Sequence, residues 1–322
     1  MEITITGANE LTYPTLHIWN WMVSLYLFLG GITAGLLMMS SIANLKGNDA
    51  DPQATLDSRK AAMIAPFVLM AGMFFIWLDL ERKLNSFWFF FSFSISSPMS
   101  WGGWGLGLIL PISMLYALSV VPEENRHWLR FGFLRDLSRK LSPHMRTLAK
   151  ICFALGIFLG IYTGVLLSVF VARPLWNSSL LPLLFLTSAL STGAALIIII
   201  ARKKEAQIFF TKADIWLLSA EIIIIALFFL GHLTSTGPQR ESVMPFFSYN
   251  SEYFLFGLSF VFIAVVFPLA LVLKLLELKE EHHEQLSGAA LFRMKLSAYM
   301  VLAGGFMIRL AWVYAGQLSK LT

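Results

Sequence analysis

Tyr26, Asp79, Tyr162, Glu221 and Arg309 stand within or at the ends of long apolar runs, where side chains of their kind have no ordinary use. A charged group in such a place costs roughly several kcal/mol unless it is paired or hydrated, so each is a candidate for chemistry. A phenol or carboxylate there can accept a hydrogen bond from a bound hydroxyl and pass the proton on. A guanidinium can keep a neighbouring carboxylate ionised or stabilise a developing anion. Together these residue types point to proton transfer at a head group held inside a membrane. Plainer readings stand beside this one: the phenols can tie helices together by hydrogen bonds, and Arg309 can form a structural ion pair with an acid such as Asp79. Arg173, next to Pro174 and Trp176, reads as an anchor in the interfacial aromatic belt.

The elements that must position these groups follow from composition. Of 322 residues, 57% are hydrophobic and only 13% charged, about half the charge of a soluble domain. Apolar stretches long enough for a bilayer core run over about 18–43, 61–80, 101–121, 147–172, 179–201, 214–236, 252–276 and 295–316. The expected fold is therefore all-α: a polytopic membrane protein with eight transmembrane helices, following a short segment at 1–17. Eighteen Lys and Arg, Lys274 among them, flank these stretches on one side and five on the other. The basic side faces the cytoplasm, which places both termini outside. The net charge of +5 then reflects topology and calls for no nucleic acid.

In this frame Tyr26, Tyr162, Asp79 and Arg309 fall in the outer half of the bilayer. Glu221 lies in the inner half, where a proton path is its natural use. Gly156, Gly160 and Gly164 recur every four residues on the fourth helix and form a face for close approach; Gly30, Gly31, Ala34 and Gly35 on the first and Ser188, Ser191, Thr192 and Gly193 on the fifth are similar. The first and fifth segments each carry Phe-Leu before a small-residue run, a pattern of two four-helix halves. Residues 122–146 space Trp128, Leu129, Phe133, Leu137 and Leu141 among basic residues, as in a helix lying on the inner surface. Residues 84–100, rich in phenylalanine, predict interfacial or re-entrant structure outside.

Cys152 is the single cysteine, so this protein alone makes no cysteine-ligated zinc or iron-sulfur site. His17 and His232 lie near outer helix ends and His127, His144, His282 and His283 on the inner side, a poor arrangement for two axial haem ligands. The HHE at 282–284 reads as a solvated acidic loop. No metal site is expected.

Five blocks carry a family resemblance: WNWMVSLYLFLGGITAGL (19–36), SPMSWGGWGLGL (97–108), GIYTGVLLSVFVARPLWN (160–177), LPLLFLTSALSTGAA (181–195) and IRLAWVYAGQL (308–318). In order along nearly the whole sequence, they resemble the NrfD/PsrC family of membrane subunits of respiratory reductases. The resemblance implies a subunit of the bacterial cytoplasmic membrane without haem or iron-sulfur cluster of its own, with menaquinone as substrate in the outer half. It implies two partners: a ferredoxin-like four-cluster iron-sulfur subunit on the periplasmic face, and a terminal reductase that is a multihaem cytochrome or a molybdopterin protein. Tyr162 matches a tyrosine near the quinone. Tyr26 falls where polysulfide-reductase members have a quinone-contacting histidine, and Val23 where they have an asparagine; Asn20 belongs to the same stretch. Glu221 and Arg309 match acidic and basic positions of nitrite-reductase-type members, and Asp79 lies where the family has a polar residue. The implied reaction is menaquinol oxidation with electrons passed to the iron-sulfur subunit, Tyr162, Tyr26 or Asp79 at the head group, Arg309 as electrostatic support and Glu221 on a proton route. Two other classes stay open at this point, a membrane anchor without redox role and a solute or ion transporter.

Overall fold

The computed structural model describes residues 19–46, 52–91, 93–202, 204–235, 237–249, 254–281 and 288–319. The segment 1–17 with His17, and His282, His283 and Glu284, lie outside the described residues. Among the described residues the protein is helical with no strand, as expected where every backbone amide in a membrane must find its partner within its own segment. The long helices are α1 (Trp21–Lys46), α2 (Pro52–Asp79), α3 (Pro98–Ser119), α4 (Met145–Ser168), α5 (Leu180–Ile200), α6 (Lys204–Leu233), α7 (Phe254–Glu281) and α8 (Gly288–Leu318). Seven helical segments of the described residues, containing all of these but α7, are long and apolar enough to cross a membrane. α7 covers the expected stretch 252–276 from residue 254 onward.

Boundaries move from the sequence expectation in two instructive places. α6 begins ten residues early, at Lys204 instead of 214: KEAQIFFTKA contains no glycine or proline, so the helix continues below its apolar part. α4 ends at Ser168 instead of 172, and Arg173 lies in the loop beyond it.

α1 packs on α2 and α4, with α3 closing that group against α2 and α4; α5 packs on α6 and α8, and α7 packs on α8 and α6. The two groups meet where α5 and α8 lie against α1, and α5 against α4. Small residues set that seam. A Cβ on Gly35 of α1 would overlap the backbone of Ala189 and Gly193 of α5, and one on Gly193 would overlap Gly35. The α4 glycines face the same seam: Gly156 meets Ala34 and Met38, Gly160 meets Leu186, and Gly164 meets Leu181 and Pro182. Gly30 differs from the expectation, since nothing lies within 4 Å of where its Cβ would stand.

The helix ends around Trp19, Trp176 and Gln317 are latched together. Trp19 donates its amide to Gln317 Oε1 and accepts from Gln317 Nε2, both at 2.8 Å. Arg173 is buried, not an interfacial anchor: it donates to the carbonyls of Gln317 and Ser319, at 2.9 Å each. It thereby caps the C-terminus of α8, where free carbonyls attract a cation, and that offsets the burial that lowers its pKa. Trp176 donates to the Trp312 carbonyl at 2.7 Å and stacks on Trp19. Of the two loops singled out in the sequence, 132–141 is a helix pinned to the end of α3 by the Ser138 hydroxyl on the Leu118 carbonyl (2.8 Å), with Phe131 and Phe133 turned outward. Segment 84–97 holds only short helical turns and exposes Leu84, Trp88, Phe91, Phe93 and Ile95.

The seam yields a contrast between neighbouring glycines. Gly35→Val should lower the melting temperature of the detergent-solubilised protein, by overpacking worth about 1–3 kcal/mol. Gly30→Ala should leave melting unchanged. Both are read in one thermal unfolding series.

Candidate functional site

Two polar sites lie on opposite sides of α1. In the first, Tyr26 of α1 and Tyr162 of α4 are both buried, on helices that pack against each other. Neither phenol hydroxyl has a hydrogen-bond partner among the described residues. Room for Tyr162 is made by α3: a Cβ at Gly102 would overlap its phenol, and one at Gly105 would overlap Phe158, which stacks on Tyr162 with centroids 5.8 Å apart. This accounts for the glycines of SWGGWGLGL, which admit two aromatic rings edge-on to a backbone.

Asn20 Oδ1 accepts the Met22 amide at 2.7 Å, an N-cap for α1, and its side chain lies near Asp79 at the end of α2. Asn20 and Asp79 are half-buried, and Asp79 also feels Lys83. Val23 is buried one turn above Tyr26. Asn20, Val23 and Tyr26 thus share the first turns of α1, which packs on α2, whose last residue is Asp79, and on α4, which carries Tyr162.

Arg309 and Glu221 belong to the second site. The expected pairing of Arg309 with Asp79 does not form. The guanidinium donates to Ser188 Oγ at 2.6 Å and to the Gly305 carbonyl at 2.8 Å, lies over the Phe185 ring at 5.3 Å, and has Glu221 as its acidic neighbour. The reason is direction. Arg309 points from α8 toward Ser188 and Phe185 of α5, and it meets α1 at Gly31, whose Cβ would lie 2.8 Å from Nη2. Glu221 is wholly buried and faces Ser188 and Arg309, yet neither carboxylate oxygen closes a hydrogen bond. His232 stacks on Phe228, and both its ring nitrogens face backbone carbonyls, of Phe228 and Pro174.

Below Glu221 lies an ion pair that sequence reasoning misses. Asp214 of α6 and Lys274 of α7, both completely buried, bond to each other, and Ser191 of α5 donates to the other Asp214 oxygen at 2.5 Å. In the sequence Lys274 reads as one of the cations flanking the inner end of a span, and Asp214 marks only where an apolar run begins. Two opposite charges, each set among leucines and isoleucines on neighbouring segments, are the signal that could have found the pair.

A family model described as Polysulphide reductase, NrfD, matches residues 9–319. The chain belongs to the NrfD family. It is 29% identical over 308 residues to a polysulfide reductase chain of Wolinella succinogenes, covering 93% of this sequence and 94% of that protein. It is 28% identical to protein NrfD of Escherichia coli, covering 70% of this sequence and 75% of that protein. A tetrathionate reductase subunit of Salmonella typhimurium is 27% identical, over 75% of this sequence and 66% of that protein. NrfD membership thus rests on almost the full length, including the segments that carry both polar sites.

Removing one partner of a buried ion pair strands the other charge, at a cost of about 3–5 kcal/mol, whereas replacing both by apolar groups is often neutral. Lys274→Met should accordingly lower the melting temperature sharply, and Asp214→Leu combined with Lys274→Met should recover most of the loss. Thermal unfolding of the two variants beside the native protein checks this.

Proposed function

We propose that this NrfD-family protein is the quinone-interacting membrane subunit of a respiratory reductase complex in the bacterial cytoplasmic membrane. Its eight helices all span, with both termini periplasmic. It oxidises menaquinol in the outer half of the membrane and passes electrons to a ferredoxin-like four-cluster iron-sulfur subunit on the periplasmic face, which serves a multihaem or molybdopterin reductase. The observation that carries this reading is the pair Tyr26 and Tyr162: two buried phenols on helices packed against each other, with hydroxyls that make no hydrogen bond among the described residues. Two of the relatives bear the names of reductase components, for polysulfide and for tetrathionate, which fits the assignment.

A quinol head group presents two hydroxyls at opposite ends of a flat ring, and its oxidation releases two electrons and two protons. In the proposed pose the ring lies along Val23 and Phe158, apolar surfaces beside the phenols. Tyr162 bonds one hydroxyl, with Tyr26 beside it. Protons leave by way of Asp79, which is half-buried at the end of α2 with Asn20 nearby. Electron transfer needs the head group near the periplasmic partner, and this end of α1 and α2 supplies that nearness. Arg309 lies about 7–8 Å of helix rise below Tyr26, beside Gly31. Its part is electrostatic, a fixed positive charge under the site, and Glu221 beyond it lies on a proton route that opens to the cytoplasmic side.

Tyr162→Phe removes the hydroxyl and keeps the ring on Gly102. Quinol-dependent turnover of the complex should fall at least about tenfold, the worth of one hydrogen bond to the reacting group, while turnover with an artificial electron donor to the iron-sulfur subunit stays unchanged. Equal quinol turnover in the variant and the native complex would remove Tyr162 from the site.

A further inference from the structure

One face of α6 is polar throughout its lower half although it is buried. Gln207, Thr211, Asp214 and Glu221 lie on it, all 2% exposed or less. From Thr211 to Glu221 is about 15 Å of helix rise, starting near the cytoplasmic end of the helix if the basic flanks face inward. Gln207 is satisfied by the carbonyls of Ala201 and Ile198, at 2.8 and 3.4 Å, and Asp214 by Lys274 and Ser191. The rest of the line is not satisfied. Thr211 Oγ1, both oxygens of Glu221 and Nε of Arg309 are buried without a hydrogen-bond partner. Buried polar atoms are almost always bonded, and where protein offers no partner, water does. Four orphaned atoms along one line, ending at a carboxylate beside a guanidinium, call for a file of water. Leu218, completely buried between Asp214 and Glu221 on the same face, is the one apolar interruption.

We propose that this face of α6 lines a narrow aqueous inlet from the lysine- and arginine-rich side of the membrane, which brings protons past Thr211 and the Asp214–Lys274 pair to Glu221, with Leu218 as its constriction. The proposal rests on the Glu221 part of the preceding reading and not on the tyrosine pocket, so it stands or falls separately from quinone binding. The step is a transfer of H⁺ along hydrogen-bonded water to a Glu221 oxygen, with no oxidant or reductant involved. The groups that face Glu221 are Ser188 of α5, below it Asp214 on its own helix, and Arg309 of α8. Lys274 of α7 is held by Asp214 at the inner end. Arg309 closes the inlet from the outer side: its positive charge opposes onward passage of a proton toward α1.

The test uses single cysteines in a Cys152→Ala background of the full-length protein, in sealed membrane vesicles of both orientations, with aqueous silver ion as probe and maleimide labelling after solubilisation as readout. Silver applied from the basic side should protect Thr211→Cys within minutes and Glu221→Cys more slowly. Adding Leu218→Ala should speed protection at 221 at least about tenfold. Trp216→Cys, on the 79% exposed outer face of α6, should stay unprotected. Protection at 221 that is equally fast from the opposite side overturns the inlet, as does no protection at 211 or at 221 even with Leu218→Ala. Because Glu221→Cys can misfold, a second reading uses the native protein. Its infrared carboxyl band, assigned by its loss in Glu221→Gln, should shift promptly on transfer to heavy water, and a band that does not shift means a dry site and ends the proposal.

Discussion

The backbones of α1 and α5 touch at Gly35 and Gly193, where no group larger than hydrogen fits on either side. In a bilayer no hydrophobic effect drives helices together, so such close approach supplies the packing that holds them. The rest of the structure follows from it. Once α1 is set against α5, the glycine face of α4 packs along the same seam, and the two groups of four long helices share α1 as a common wall. The wall then has a side for each polar site: Tyr26 toward Tyr162 and α3, and Gly31 toward Arg309.

Glycine in these helices does two kinds of work. At the seam it lets backbone meet backbone. At Gly102 and Gly105 of α3 it makes space for the rings of Tyr162 and Phe158, and at Gly31 for a guanidinium. The second kind links packing to chemistry, because the ring or charge so admitted is held from all sides and cannot relax toward lipid. Charges follow the same logic. Arg173 is matched by two carbonyls, Lys274 by Asp214, and Arg309 by Ser188, Gly305 and the ring of Phe185. Glu221 stands out because its neighbours are near and its oxygens are still unbonded.

Much of this is legible in the sequence. Hydropathy alone locates most of the long helices to within a few residues, since about 20 apolar residues in a row have few other fates, and the four-residue glycine spacing of α4 marks its packing face. The candidate residues are legible as well: Tyr26, Tyr162, Asp79 and the 20–23 stretch stand out by polarity and position in or beside apolar runs. Pairings are less legible. The sequence places Arg309 and Asp79 in the same half of the membrane, which suggests a pair, but depth leaves open which way each side group points around its helix. Lys274 looks like a flanking cation, since an isolated lysine near a helix end normally reaches for the interface; only the opposing Asp214, sixty residues away, turns it inward. Arg173 is hidden for the same reason, its partners being backbone carbonyls at the far end of the sequence.

Whether the pocket between Tyr26 and Tyr162 receives the quinone head group is tested most directly by photo-crosslinking of an azido-quinone to the intact complex, with the modified peptides identified by mass spectrometry and excess natural quinone as competitor. Competable crosslinks within residues 20–26 of α1 and 158–162 of α4 are the predicted result. Crosslinks confined to α6 and α8, around Glu221 and Arg309, would contradict it.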